Sequence, residues 1–322
     1  MPRTKLVVIS IADASNLALL KNLPDDVDVT IGSTENELAG VIGEADVLLN
    51  GMGGGDTFKA LFPRAKAVKW IHSLSAGVEN ILTPELVSSP VPLTNARGVF
   101  AESLGEFVIA AALFFAKDLR RLVNSQSDRK WDQFDCEVLY RQSMAIVGYG
   151  EIGRAAAQRA KALGMKIYAT RRRPELFKDD PIVDEGFAPE QRAEMLAKAD
   201  YVVAASALTP ESRGLIGATE IAAMKPTGVI MNVGRGPVID EAALIAALAE
   251  RRIRGAALDV FDKEPLPADH PFWTLDNVLL SPHTADHIEG WLDDATHFFL
   301  QNFARFANGE SLKNIVDKRA GY

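Results

Sequence analysis

The chain has 322 residues and a formal net charge of −8. That length suits about two domains, and the acidic balance argues against nucleic acid or an anionic membrane as partner. Apolar residues make up 48 % with a single cysteine, Cys136, which excludes a disulfide framework and fits a cytoplasmic protein.

Met1-Pro2-Arg3 leads straight into a strand over 5–11, leaving no space for a signal peptide. Further strands are expected at 27–31, 47–50, 69–72 and 91–94, with helical patterns over 13–23 and 35–42 between them. Residues 102–119 read as one long helix, so apolar that it must be buried between domains or covered by another subunit. Residues 120–142 carry Trp131 and Phe134 among polar neighbours, the composition of an arm reaching a partner.

The alternation then resumes, with strands at 144–147, 166–169, 201–204, 229–233, 256–259 and 278–280. Local wording recurs: Glu44-Ala45-Asp46-Val47 precedes one strand and Lys198-Ala199-Asp200-Tyr201 another. A helical tail over 289–307 holds Trp291, Phe298, Phe299, Leu300, Phe303 and Phe306, and is read as crossing back to the first domain. The expected fold is α/β, with two doubly wound parallel sheets. The expected domains are 1–97 plus 286–322, and 98–285.

Between two strands of the second half lies Gly148-Tyr149-Gly150-Glu151-Ile152-Gly153, followed by an alanine-rich helix from Arg154. Glycines in that strand-to-helix context allow a tight turn, close approach of a pyrophosphate and close packing of helix on strand. Free N–H groups and the helix dipole would face the phosphates. The next strand ends in Thr170-Arg171-Arg172-Arg173, where an NAD site usually has an acid. A guanidinium binds a 2′-phosphate, so NADP(H) is preferred, with NAD(H) possible. The alternative for the triplet is a solvated basic turn.

After Val233, expected beside the cofactor, comes Gly234-Arg235-Gly236 at a strand's carboxyl end, where ligands of such sheets gather. Its guanidinium can grip a carboxylate and polarise the adjoining carbonyl. Glu264 precedes Pro265, and His283 follows Pro282 at the next strand end. The two can meet, the carboxylate raising the imidazole's pKa for general-acid work. His283, Asp286 and His287 do not form a metal motif, because their spacing faces together only on a helix that Pro282 opposes. No metal is expected. His72, His270 and His297 are read as structural or exposed.

Together, Gly148–Gly153, Gly234-Arg235-Gly236, Leu258-Asp259-Val260-Phe261 with Glu264-Pro265, and Ser281-Pro282-His283 resemble the D-isomer-specific 2-hydroxyacid dehydrogenases. Ser75-Ala76-Gly77-Val78 and Asn95 extend the resemblance into the first half. It implies a flavodoxin-like substrate domain, a Rossmann cofactor domain, a cleft between them and a homodimer built around the long helix. It implies Arg235, Glu264 and His283 as the catalytic triad. Backbone amides of Ala76, Gly77 and Val78 would hold the substrate carboxylate, and Asp259 would lie near the nicotinamide amide.

The chain departs from the family at Ala207, where proline is frequent, and at Thr284-Ala285-Asp286-His287, which lacks a frequent glycine. Its length and arginine triplet are nearer to glyoxylate/hydroxypyruvate reductases. Met52, Gly53, Arg97, Phe100 and Trp291 are candidates for the pocket, Arg97 either for a second anionic group or for a surface ion pair. Two other readings remain: an NAD-dependent member with another hydroxy acid, and a protein that binds the dinucleotide only to sense it.

Overall fold

A computed structural model describes residues 3–322; Met1 and Pro2, read above as leading directly into the first strand, lie outside the described residues. Packing divides the chain into two units, one running up to Phe100 and resuming over Ile288–Tyr322, the other Ala101–His287.

The first unit holds β1 (Thr4–Ile9), β2 (Val27–Gly32), β3 (Val47–Asn50), β4 (Trp70–Ser73) and β5 (Leu93–Asn95). All pair in parallel, in the order β2-β1-β3-β4-β5. That is the flavodoxin-like doubly wound order. β3 and β4 are buried on both faces, and β3 accordingly opens with the continuous apolar run Val47-Leu48-Leu49. The tail helix Trp291–Ala307 packs here: Phe299 stacks on Trp70 at 5.4 Å, with Phe306 also at 5.4 Å from it. Beyond it, Val316 N–H donates to Leu93 O at 2.8 Å. His72 lies fully buried against this aromatic face, Nδ1 2.6 Å from Thr94 Oγ1. The pattern over 13–23 becomes a 3-10 helix, Ser15–Asn22, rather than an α-helix.

The second unit holds β6 (Ser143–Val147), β7 (Lys166–Thr170), β8 (Glu185–Phe187), β9 (Tyr201–Ala204), β10 (Val229–Asn232), β11 (Gly255–Leu258) and β12 (Val278–Leu280). They form one parallel sheet, ordered β12-β11-β10-β9-β6-β7-β8. The order reverses between β6 and β9, the switch point where nucleotides bind in such sheets. β8 was not anticipated. It is a three-residue edge strand whose Gly186 lies under the Phe177 ring, so it has no apolar run to betray it.

The long apolar helix is shorter than its pattern: Ala101–Ala116, followed by Asp118 at φ 46° capping a second helix, Leu119–Ser127. The start of the expected arm is therefore helical. One face of the long helix is covered within its own unit. Gly105 abuts Ala155 on helix Glu151–Ala162, where an added Cβ would lie 3.0 Å from backbone. Small residues at that crossing let the two helices approach, and Leu104, Val108, Ala111 and Ala112 are buried with them.

The recurring Asp-before-strand wording has a physical reason. Asp46 Oδ2 accepts Lys5 N–H at 2.9 Å while its own N–H donates to Lys5 O. Asp200 does the same to Ser143, and Asp184 to Ile167. A lysine (Lys69, Lys225, Lys161) binds each carboxylate's other oxygen. Each aspartate thus closes the amino edge of a neighbouring strand, and those bonds outweigh burial to hold all three carboxyls below their usual range. Among the described residues no helix is long and apolar enough to cross a membrane.

Candidate active site

At the carboxyl end of β6, Gly148 adopts φ 94°, and a Cβ there would lie 2.4 Å from Ser206 Oγ. A Cβ on Gly153 would lie 2.6 Å from Gly148 O, so these two glycines are required by packing alone. Gly150 is different: nothing lies within 4 Å of its would-be Cβ. It heads helix Glu151–Ala162, whose N-terminus no side chain caps. Open space beside uncapped N–H groups fits a phosphate. Tyr149 is buried edge-on to Phe177 at 5.5 Å, and burial pushes its phenol up.

Arg171, Arg172 and Arg173 follow β7, whose Thr170 O accepts Tyr149 N–H at 3.3 Å. The Arg171 guanidinium lies 5.5 Å from the Phe177 ring centre, so the cluster borders the glycine loop. Arg172 and Arg173 are exposed.

Three loops after β10, β11 and β12 bring the remaining residues of this unit together. Val233 is buried, its N–H bonded to Ala204 O. Gly234 and Gly236 then let Arg235 sit where backbone runs close: a Cβ on Gly236 would fall 1.9 Å from Phe261 C and O. The arginine loop is thereby pressed against the loop that carries Glu264. Arg235 Nη1 donates to Gly234 O at 2.8 Å.

Glu264 Oε1 accepts Phe261 N–H at 2.9 Å, and Oε2 lies 2.7 Å from His283 Nδ1. His283 has φ 51°, a left-handed backbone uncommon for residues other than glycine. Buried Asp259 holds it: its carbonyl accepts His283 N–H at 2.8 Å, and its Oδ1 accepts from Ser281 Oγ, Thr284 N–H and Ala285 N–H. The hydrogen bond to Glu264 raises the His283 pKa against partial burial, and the nearby Arg235 charge opposes that rise. Burial alone would push Glu264 up, but the bonds from His283 and Phe261 hold it below its usual range. The contact favours the charged form of both partners, and it leaves Nε2 free of that bond.

Ala76, Gly77 and Val78 belong to the first unit, on the loop after β4. Among the described residues none accepts their N–H groups, while Asn95 Nδ2 fixes Ala76 O at 2.5 Å. These amides are left available to an anion. Arg97 is exposed on the adjoining loop after β5, and among the described residues its guanidinium has no partner, so the surface ion pair weighed above is not formed. Trp291 meets Phe100 edge-on at 5.9 Å, Met52 is exposed, and Gly53 takes φ 70°. His287 Nε2 lies 3.7 Å from Asp286 Oδ1.

A family model, the NAD-binding domain of D-isomer-specific 2-hydroxyacid dehydrogenases, matches residues 109–285. The chain is 32 % identical to a D-3-phosphoglycerate dehydrogenase of Methanocaldococcus jannaschii over 97 % of its length, spanning 60 % of that protein. This chain belongs to the D-isomer-specific 2-hydroxyacid dehydrogenases. It is 30 % identical to glyoxylate/hydroxypyruvate reductase B of Yersinia pestis, covering 95 % of this chain and 94 % of the relative. A solved D-isomer-specific 2-hydroxyacid dehydrogenase of Xanthobacter autotrophicus, in complex with NADPH and MES, superposes with TM-score 0.86 at 31 % identity, covering 99 % of this chain and 100 % of that one.

Asn232 escaped the sequence reading, being an ordinary polar residue at a strand end, and Ser281 was read only as part of the Ser281-Pro282-His283 motif. Only their bonds single them out. Ser206, wedged against both Gly148 and Gly234, was noted only for its segment.

Proposed function

We propose that the protein reduces a small 2-oxo acid of the glyoxylate or hydroxypyruvate kind to the D-2-hydroxy acid, with NADP(H) preferred over NAD(H). The observation carrying this is the His283–Glu264 contact at 2.7 Å within reach of the Arg235 charge. Bound NADPH would supply the hydride for the carbonyl carbon. Arg235 grips the carboxylate and draws electron density onto the carbonyl oxygen. His283, kept charged by Glu264, gives its Nε2 proton to that oxygen as the negative charge develops. In the oxidative direction neutral His283 takes the proton back.

The second unit is the cofactor domain in this reading. Gly148, Tyr149, Gly150, Glu151, Ile152 and Gly153 cradle the pyrophosphate, Arg171 with Arg172 and Arg173 takes the 2′-phosphate, and Val233 and Asp259 border the nicotinamide. The first unit is the substrate domain, offering the amides of Ala76, Gly77 and Val78 to the carboxylate. The NADPH complex of the Xanthobacter relative supports the cofactor preference. A homodimer joins through the long helix and the segment bearing Trp131, which is 89 % exposed with Val138 and Tyr140 also open to solvent.

The test is direct. Purified protein with NADPH loses absorbance at 340 nm when glyoxylate or hydroxypyruvate is added, and His283→Ala lowers that rate by about 10²–10⁴-fold. An unchanged rate in His283→Ala would end the assignment.

A further inference from the structure

Arg235 is a long, flexible side chain, and an anchor is useful only if its base is fixed. The residue that fixes it is Asn232, the last of β10 and 1 % exposed. Its Oδ1 accepts Gly234 N–H at 3.1 Å, and its Nδ2 donates to Arg235 O at 3.0 Å. Both polar atoms of one buried amide are therefore spent on the two peptides that bracket the Gly234–Arg235 peptide. The bracketed peptide's own carbonyl, Gly234 O, receives Arg235 Nη1 at 2.8 Å. The guanidinium is thus steered by a peptide that Asn232 holds from both sides.

Asn232 is itself held. Its backbone O accepts Asp259 N–H at 3.0 Å, and its strand position pairs with Ala204 on one side and Leu258 on the other. On the far face, Gly236 abuts Phe261 backbone. Few alternatives serve. Aspartate matches the shape but presents an acceptor to Arg235 O, serine is too short to reach both peptides, and an apolar residue strands a buried N–H and C=O.

We propose that Asn232 is a positioning residue, acting through Arg235 to set where the substrate carboxylate is gripped. This rests on the function proposed above, and the experiment separates the two. Asn232→Ala, Arg235→Ala and the double variant are compared for glyoxylate kinetics, for NADPH binding by fluorescence, and for binding of oxamate, an inert 2-oxo acid analogue, in the presence of NADP+. The expected result is a rise in KM for glyoxylate and in Kd for oxamate of about 10- to 100-fold in Asn232→Ala, with NADPH binding held within about threefold. In the Arg235→Ala background the same change adds almost nothing, because the two residues act as one unit.

Equal losses in both backgrounds, or NADPH binding weakened as much as oxamate binding, would mean that Asn232 only supports the sheet edge and would overturn the proposal. Asn232→Asp keeps the volume should the alanine variant fail to fold; wild-type kinetics in it would also overturn the proposal, since its carboxylate cannot donate to Arg235 O. If the wild type reduces no 2-oxo acid, the proposed function fails, while the oxamate comparison still decides the role of Asn232.

Discussion

Replacing Glu264 with glutamine removes the charge that holds His283 protonated while keeping a group able to hydrogen-bond. Its effect should depend on pH, and the sign follows from the site. In the proposed mechanism the imidazole needs its proton for reduction, so the reductive rate should fall as pH rises through the His283 pKa. Glu264 raises that pKa, by its hydrogen bond first, and so extends activity to higher pH. A hydrogen bond to a charged group is worth about 1.5–3 kcal/mol. The side chains of His283 and Glu264 remain 39 % and 35 % exposed, so solvent screening reduces this to about 1–2 kcal/mol. At about 1.4 kcal/mol per tenfold, Glu264→Gln should cost about 5- to 30-fold in reductive kcat/KM on the alkaline side. Well below the pKa, where both enzymes carry the charged imidazole, the rates should converge. The assay is NADPH-dependent glyoxylate reduction across the pH range, with glycolate oxidation as the mirror, whose limb should also move to lower pH. An alkaline limb left in place, with the rate depressed equally at every pH, would refute the charge argument and leave Glu264 as a mere orienting residue.

Arg171→Asp should raise the KM for NADPH relative to NADH by about 10- to 100-fold, the worth of charge-assisted phosphate contacts turned to repulsion; parallel steady-state titrations of both cofactors check it, and an unchanged ratio removes Arg171 from the site. His72 has its pKa lowered by burial from 6.5 to about 3. The unfolded chain takes that proton and the folded one does not, so stability present above pH 6.5 should decline by about 1.4 kcal/mol per pH unit as pH falls toward 5. His72→Gln should remove that slope in urea unfolding, and an identical slope would show that other groups produce it.

Much of this was legible because the chemistry is periodic or local. Continuous apolar runs revealed buried parallel strands, and Gly148, Gly150 and Gly153 occur in a context few other turns need. The pairing of Glu264 with His283 was readable because both end segments of one parallel sheet, whose strand ends share an edge. β8 was missed because an edge strand of three residues with a central glycine has no pattern to read. The long helix ended early at Asp118, a left-handed residue that periodicity cannot sense. The roles of Asp46 and Asp200 were visible only as a recurring phrase until the strands they close lay beside them, and Asp184 lay outside that phrase.

Order, composition and spacing by themselves determined the two-sheet α/β plan, the strand-to-helix glycine loop and which side chains are candidates for the chemistry, since each depends on contacts within a few residues or on strand ends of one sheet. Tertiary structure alone decided how those side chains are held: the left-handed turn at His283 built by Asp259, the clamp of Asn232 on the Arg235 loop, and the contact of Gly236 with Phe261 backbone. These link residues far apart in sequence through single polar or close-packed contacts. Their strength comes from burial and geometry, and neither is written in residue type.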